Sequence, residues 1–146
     1  MKLIKAFALG AVLAAGAAYA QEEPTDPNAI ARQDLMKKNG AAAGVLGGMA
    51  SGKEAFDAAK AEEAKATLIA DAAMIAEVFK EPGGADPASE SKPEVWTNWE
   101  DFLVKATALT DAATALDVSS AETIGAGMGA IGGACKDCHT SYRIMN

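Results

Sequence analysis

Apolar residues recur at alternating spacings of three and four along most of the chain, which is typical of helices that bury one face. The long loop at residues 81–93 is rich in Pro, Gly and Ser, and the other connections are short. Short connections favour antiparallel neighbours, so the sequence predicts an all-α, up-down-up-down four-helix bundle. The four predicted helical segments are residues 27–50, 53–79, 94–116 and 119–143.

Two of the segments carry recognisable start signals. Thr25 or Asp26 can cap the first segment, with Pro27 in its opening turn. Ser119 and Glu122 have the spacing of a capping box at the start of the fourth segment. We therefore expect the first and last helices to begin close to these residues.

A short motif near the C-terminus carries the clearest chemistry. Residues 135–139 read Cys-Lys-Asp-Cys-His, the attachment signature of c-type haem. Two cysteines three residues apart lie on one face of a helical turn, so both sulfurs can bond the vinyl groups of one porphyrin. We therefore predict one covalent haem c, held by Cys135 and Cys138, with His139 as the proximal ligand of the iron.

Other uses of the two cysteines fit the sequence less well. A disulfide between them would close a very small loop and would constrain the unfolded chain little. A thioredoxin-like redox pair belongs in a βαβ context, and nothing in the sequence indicates strands. Zinc would need a fourth ligand, and the adjacent His139 is poorly placed for a tetrahedron. The motif therefore favours haem.

The N-terminus has the features of an export signal. Lys2 and Lys5 precede an apolar run that ends in Ala-Tyr-Ala, a small-x-small cleavage site. We predict a cleaved signal peptide at residues 1–20 and a four-helix haem domain at residues 21–146. No later apolar run reaches the length of a membrane span. Export and the haem motif together predict residence in the periplasm.

Methionine is the natural second ligand of the iron. His139 is the only histidine in the chain, which excludes ligation by two histidines of one chain, and a Met/His pair raises the reduction potential. Met128 lies on the same helix as His139, and Met145 follows it too closely, so neither can reach the other face of the ring. Met49 is expected at the far end of the bundle.

Two other methionines, Met36 and Met74, are expected at the haem end. Small residues follow Met36 on its face of the helix and leave room for a flat ring: Gly40, Ala43 and Gly47. Met74 lies off the apolar stripe of its own helix. Met36 is therefore the favoured distal ligand, although periodicity alone does not prove it.

Three stretches of the chain resemble parts of one known family. Residues 135–143, Cys-Lys-Asp-Cys-His-Thr-Ser-Tyr-Arg, are similar to its haem attachment region. In residues 32–37, Arg-Gln-Asp-Leu-Met-Lys, an arginine precedes the distal-side residue by four positions, as in its opening motif. The stretch from Trp96 to Phe102 is also similar. The family is that of the class II c-type cytochromes, the cytochrome c-prime family, and the resemblance implies a four-helix bundle with haem near the C-terminus.

The family has two branches, and Met36 occupies the position that divides them. In the low-spin branch, a methionine there ligates the iron, and the proteins carry electrons. In the high-spin branch, the residue there only shields a five-coordinate iron that binds nitric oxide or carbon monoxide, and some of these members also carry a methionine. The resemblance favours electron transfer through His139 and Met36, with gas binding as the alternative. No enzyme is predicted, since no acid–base group accompanies the haem on the distal side.

Polar residues flank the predicted ligands. Arg32, one turn before Met36, can meet a haem propionate in a charge-assisted hydrogen bond, and the alternative is an exposed helix arginine. By the resemblance, Gln33 faces the same region. Arg143, one turn after His139, can either tune the proximal side or complement the end of the helix.

The chain is acidic, with a formal net charge of −7. This charge argues against nucleic acid and anionic membranes as partners, and for a redox partner protein with a basic docking face. The alternative is that acidity only keeps the protein soluble. Family members are often homodimers through the first two helices, and the sequence leaves a homodimer open.

Overall fold

The computed structural model describes residues 23–145, and the predicted signal peptide lies outside them. The helices of this part of the chain are α1 (Pro27–Ala50), α2 (Ala58–Ala73), α3 (Ile75–Val78), α4 (Glu94–Thr97), α5 (Trp99–Ala115) and α6 (Ala121–Tyr142). The same residues contain no strand, and an isolated bridge pairs Ser91 with Arg143. None of the described helices is long and apolar enough to cross a membrane.

The long helices α1, α2, α5 and α6 form a bundle. α1 packs against α2 and α6, and α5 packs against the same two helices. Gly125, near the start of α6, lies against Ala50 at the end of α1. Tyr142, at the end of α6, donates a hydrogen bond to Asp101 near the start of α5. α6 is therefore antiparallel to both of its neighbours, and the predicted four-helix bundle is confirmed.

α1 begins where the sequence predicted, and its cap also fastens the long loop. The Asp26 carboxylate accepts hydrogen bonds from two backbone N–H groups in the first turn, both at 3.0 Å, and from the N–H of Gly84 at 2.9 Å. The bonds from Gly84 and Ala29 lower the pKa of Asp26. In the loop, Asp86 accepts from the N–H of Asp26 at 2.8 Å. The start of α1 and the loop therefore hold each other in place.

The second and third segments contain breaks that the apolar pattern did not predict. The Asp57 carboxylate accepts from the N–H of Lys60 at 3.1 Å, so α2 starts after Asp57 and not at residue 53. The second segment is also broken at Met74, between α2 and α3. The third segment is broken at Asn98, whose φ of −119° and ψ of 43° are not helical. Both of these breaks lie at the end of the bundle that carries the long loop.

The capping box of α6 uses other residues than those predicted. The hydroxyl of Ser120 accepts from the N–H of Thr123 at 3.1 Å, and the Thr123 hydroxyl accepts from the N–H of Ser120 at 3.1 Å. Ser119 instead donates its N–H to the Asp117 carboxylate at 2.9 Å. The prediction of Ser119 and Glu122 was wrong because the threonine hydroxyl takes the part expected of the glutamate.

The core has an aliphatic part and an aromatic part. The most deeply buried side chains are aliphatic: Leu46, Met49, Leu68, Val95, Ile124 and Ile131. At the loop end, the rings of Phe79, Trp99 and Tyr142 surround Phe102, with centroids 5.2, 5.4 and 5.3 Å from it. Three of these four rings line a cavity, so the aromatic part of the core is also a wall of the candidate site.

Candidate haem site

The Cys-x-x-Cys-His motif lies in the last turns of α6, where neighbouring helices partly bury it. Cys135 and Cys138 are free of disulfides, and both pack against the core. Burial raises the pKa of the Cys135 thiol, and it raises the pKa of Cys138 to about 11. Burial lowers the pKa of His139, and the charge of Arg143 lowers it further. At neutral pH the imidazole is therefore uncharged, the form in which histidine binds a metal.

A cavity of about 520 Å³ opens beside this motif, a volume typical of sites for small molecules and cofactors. Its walls are mostly apolar and include Leu68, Ile75, Phe79, Phe102, Ala106 and Leu109. All the site residues predicted from sequence line it: Arg32, Gln33 and Met36 on α1, and Cys135, Cys138 and His139 on α6. The fold thus brings together residues from opposite ends of the chain.

Met36 shares this cavity with His139, and the other methionines that the structure describes lie elsewhere. Met74 is 47% exposed on the surface. The rest do not reach the cavity wall either: Met49 lies in the aliphatic core, Met128 beside Gly47, and Met145 is exposed. There is room next to Met36, since a Cβ added to Gly40 would meet no atom within 4 Å. Ligation of iron by Met36 stays a prediction.

Arg32 is buried, so the alternative of an exposed helix arginine is wrong. The side chain is 3% exposed, and Nη1 donates to the carbonyls of Glu81 and Pro82 at 3.1 and 3.2 Å. The guanidinium lies 5.3 and 5.8 Å from the ring centroids of Trp96 and Phe79. Burial lowers its pKa, but a guanidinium stays charged in proteins. Its Nε has no hydrogen-bond partner within the described chain. A haem propionate would satisfy this donor.

These features fit haem c. Two thiols and an uncharged imidazole face one apolar cavity, and Arg32 offers it a buried donor and a positive charge. Cys135 and Cys138 would hold the ring through thioether bonds, and His139 would ligate the iron. The residues present are therefore those that a covalent haem needs.

Comparisons with known proteins identify the family. The family model of Cytochrome C′ matches residues 28–143. Cytochrome c-556 of Agrobacterium tumefaciens (strain apple 185) is 38% identical over 117 residues, covering 78% of this chain and 92% of the relative. This chain belongs to the cytochrome c′ family. It is therefore a class II c-type cytochrome, an electron-transfer family, and its cofactor is haem c.

Solved structures of cytochromes share the fold. Cytochrome c prime from Shewanella frigidimarina is 30% identical with a TM-score of 0.70, covering 81% of this chain and 97% of the other. The NMR-validated structure of oxidized R. palustris cytochrome c556 is 25% identical with a TM-score of 0.73, covering 82% and 98%. Because cytochromes of both names match, the comparisons do not distinguish the low-spin from the high-spin branch.

The long loop of the cytochrome closes against the cavity. Gln33 Nε2 donates to the carbonyl of Ala88 at 3.3 Å, so this side chain is already bonded to the loop, and its role near a propionate stays a prediction. The guanidinium of Arg143 pairs with the Glu90 carboxylate, with Nη2 and Nε at 2.7 and 2.8 Å from Oε2. This ion pair ties the loop to the end of α6, and no sequence pattern predicted it.

Two further residues at the cavity were missed from sequence. Lys105 on α5 lines it, with Nζ 2.6 Å from Oδ2 of Asp137, one of the two residues between the cysteines. The hydrogen bond with Asp137 raises the pKa of Lys105. Asn39 on α1 also lines the cavity and is 6% exposed. Lys105 left no sequence signal, whereas Asn39 did, since it is a polar residue within an apolar stripe.

Proposed function

We propose that this cytochrome transfers single electrons, with His139 and Met36 as the axial ligands of its haem iron. The observation that carries the proposal is the position of Met36, the described methionine that lines the same cavity as His139. When bound, haem c supplies a one-electron iron couple, and a Met/His ligand pair raises its reduction potential.

The chain's own residues prepare the cavity for this role. Apolar walls would keep bulk water away and set the low polarity that tunes the potential of a buried redox centre. Cys135, Cys138 and His139 on α6 and Met36 on α1 would hold the haem from two helices, so a change of charge would require little rearrangement. Arg32, buried and charged, would compensate a propionate that otherwise would carry an unpaired charge in the protein interior.

A second function has support from the space beside Met36. Gly40 and Ala43 line the cavity on the same helix, and a Cβ added to Gly40 would meet no atom within 4 Å. If Met36 only shields the iron and does not ligate it, the coordination position on the Met36 side would be free for a small gas. The protein would then bind nitric oxide or carbon monoxide, as the high-spin branch of its family does.

The visible spectrum of the reduced, haem-loaded protein separates the two functions. Electron transfer predicts a six-coordinate low-spin spectrum that carbon monoxide barely changes. Met36→Ala should convert it to a high-spin spectrum that responds to the gas, whereas the matched surface variant Met74→Ala should not. A high-spin wild-type spectrum, or a Met36→Ala spectrum identical to that of the wild type, would sink the ligand assignment.

The cellular setting follows from charge and from the predicted export signal. We propose that the protein resides in the periplasm and exchanges electrons with a partner whose docking face is basic. Removal of Lys2 and Lys5 with the predicted signal peptide takes the formal net charge from −7 to −9, and this charge would attract such a face and steer the encounter.

A further inference from the structure

Asn39 is a buried polar side chain in an otherwise apolar stripe of α1. It follows Met36 by three residues and therefore lies close to it on the helix surface. The residues before and after it on the buried face, Leu35 and Ala42, are apolar. Asn39 itself is only 6% exposed and lines the cavity. Burying a polar side chain is unfavourable unless its hydrogen bonds are made, so its partners decide what it does.

The amide of Asn39 is only half satisfied by the described chain. Its Nδ2 donates to the backbone carbonyl of Leu35 at 3.1 Å. A carbonyl can only accept, which fixes the nitrogen on that side and leaves Oδ1 on the other. Oδ1 is buried and has no hydrogen-bond partner in residues 23–145. Because Asn39 lines the cavity, the cavity is the nearest place from which a partner for this oxygen could come.

None of the described residues donates to Oδ1, and two side-chain donors that line the cavity are used elsewhere. Nε2 of Gln33 donates to the loop, and Nζ of Lys105 pairs with Asp137. Arg32 precedes Asn39 by seven residues, or roughly 10 Å along the helix, too far for its free Nε to be the partner. Haem propionates accept and do not donate. A water molecule is small enough and donates, and buried waters are commonly held by polar groups that lack a protein partner.

We propose that Asn39 binds a water molecule on the Met36 side of the cavity, and that the amide and its water lower the reduction potential of the haem. The carbonyl of Leu35, the amide of Asn39 and the water form a chain of hydrogen bonds whose dipoles reinforce one another. The negative end of this chain faces the cavity and favours the more positively charged, oxidised iron. The effect on the potential rests on the proposed electron-transfer function.

The test compares variants of the haem-loaded protein. Asn39→Leu removes both polar atoms. It should raise the equilibrium constant for reduction about threefold to tenfold, which is ~28 to ~59 mV at 59 mV per tenfold for one electron. Asn39→Thr should stay close to the wild type, because a threonine hydroxyl can donate to the carbonyl four residues earlier and still accept from water. Asn98→Leu, the same exchange at an exposed position outside the cavity, is the control and should leave the potential unchanged.

A high-resolution structure of the haem-loaded wild type supplies the second readout. We expect a water within hydrogen-bond distance of Oδ1 of Asn39, and none in Asn39→Leu. If that water is absent, or if the Leu and Thr variants both keep the wild-type potential while every spectrum remains low-spin, the inference fails and the electron-transfer function stands. A high-spin wild-type spectrum overturns the electron-transfer function and, with it, the stated effect on the potential.

Discussion

Substitution of Gly83 in the long loop tests how the loop is held against the start of α1. Its φ of +76° lies in the left-handed region that residues with a side chain avoid. A Cβ there would overlap the Asp26 carboxylate and lie 2.9 Å from the Cβ of Asn28. Gly52 has a similar φ of +73°, but a Cβ added to it meets no atom within 4 Å. Comparison of Gly52→Ala with Gly83→Ala therefore separates the energetic cost of the left-handed backbone from the cost of disturbing the start of α1.

The expected magnitudes follow from this difference. Gly52→Ala should lower the free energy of unfolding by about 1 kcal/mol. This value is the cost of placing alanine in the left-handed conformation minus the gain from reducing the entropy of the unfolded chain. Gly83→Ala carries the same backbone cost and must also displace Asp26 or Asn28, so we expect a loss of at least about 2 kcal/mol. Moving the loop would also disturb the carbonyls to which Arg32 donates.

Denaturant unfolding of the haem-loaded variants measures both losses from the midpoint and slope of the transition. If the extra loss at Gly83 comes from the overlap with Asp26, Gly83→Ala should cost less in an Asp26→Ser background, where the capping side chain is shorter. Equal losses at Gly52 and Gly83, or a loss at Gly83 that Asp26→Ser leaves unchanged, would refute the contact between the loop and α1.

Two further predictions concern charge. The backbone hydrogen bond from Gly84 lowers the pKa of Asp26, and the backbone hydrogen bond from Asp26 lowers the pKa of Asp86. Each ionised carboxylate therefore stabilises the folded protein above the unfolded pKa of about 4, and this stabilisation is lost as the pH falls through the folded pKa. Unfolding measured against pH should show this acid loss, and Asp86→Asn should flatten it; an unchanged slope would contradict the assignment. Electron exchange with a basic partner protein should slow as salt rises, because salt screens the attraction, and a rate independent of salt would rule out steering by the net negative charge of the protein.

The apolar spacing predicted the bundle because one face of each long helix is buried, and Leu35, Leu46 and Phe102 lie on those faces. The same spacing could not reveal the breaks at Met74 and Asn98, because a short interruption of a helix hardly changes the alternating spacing of three and four residues between apolar positions. The start of α2 depended on which side chain reaches a free N–H. That is a question of local geometry, and it left no mark on the apolar pattern.

The candidate site also has features that could be predicted from the sequence and features that could not. The Cys-x-x-Cys-His motif is local, and the placement of Met36 beside it followed from the bundle topology. The pair of Glu90 and Arg143 joins residues 53 apart in a stretch without periodicity, so no sequence pattern could indicate it. Asn39 stands between these cases, since a polar residue in an apolar stripe is visible in the sequence. Whether its amide is satisfied depends on contacts that the sequence does not show. The structure shows that the helix supplies a partner for Nδ2 and that Oδ1 has none among the described residues.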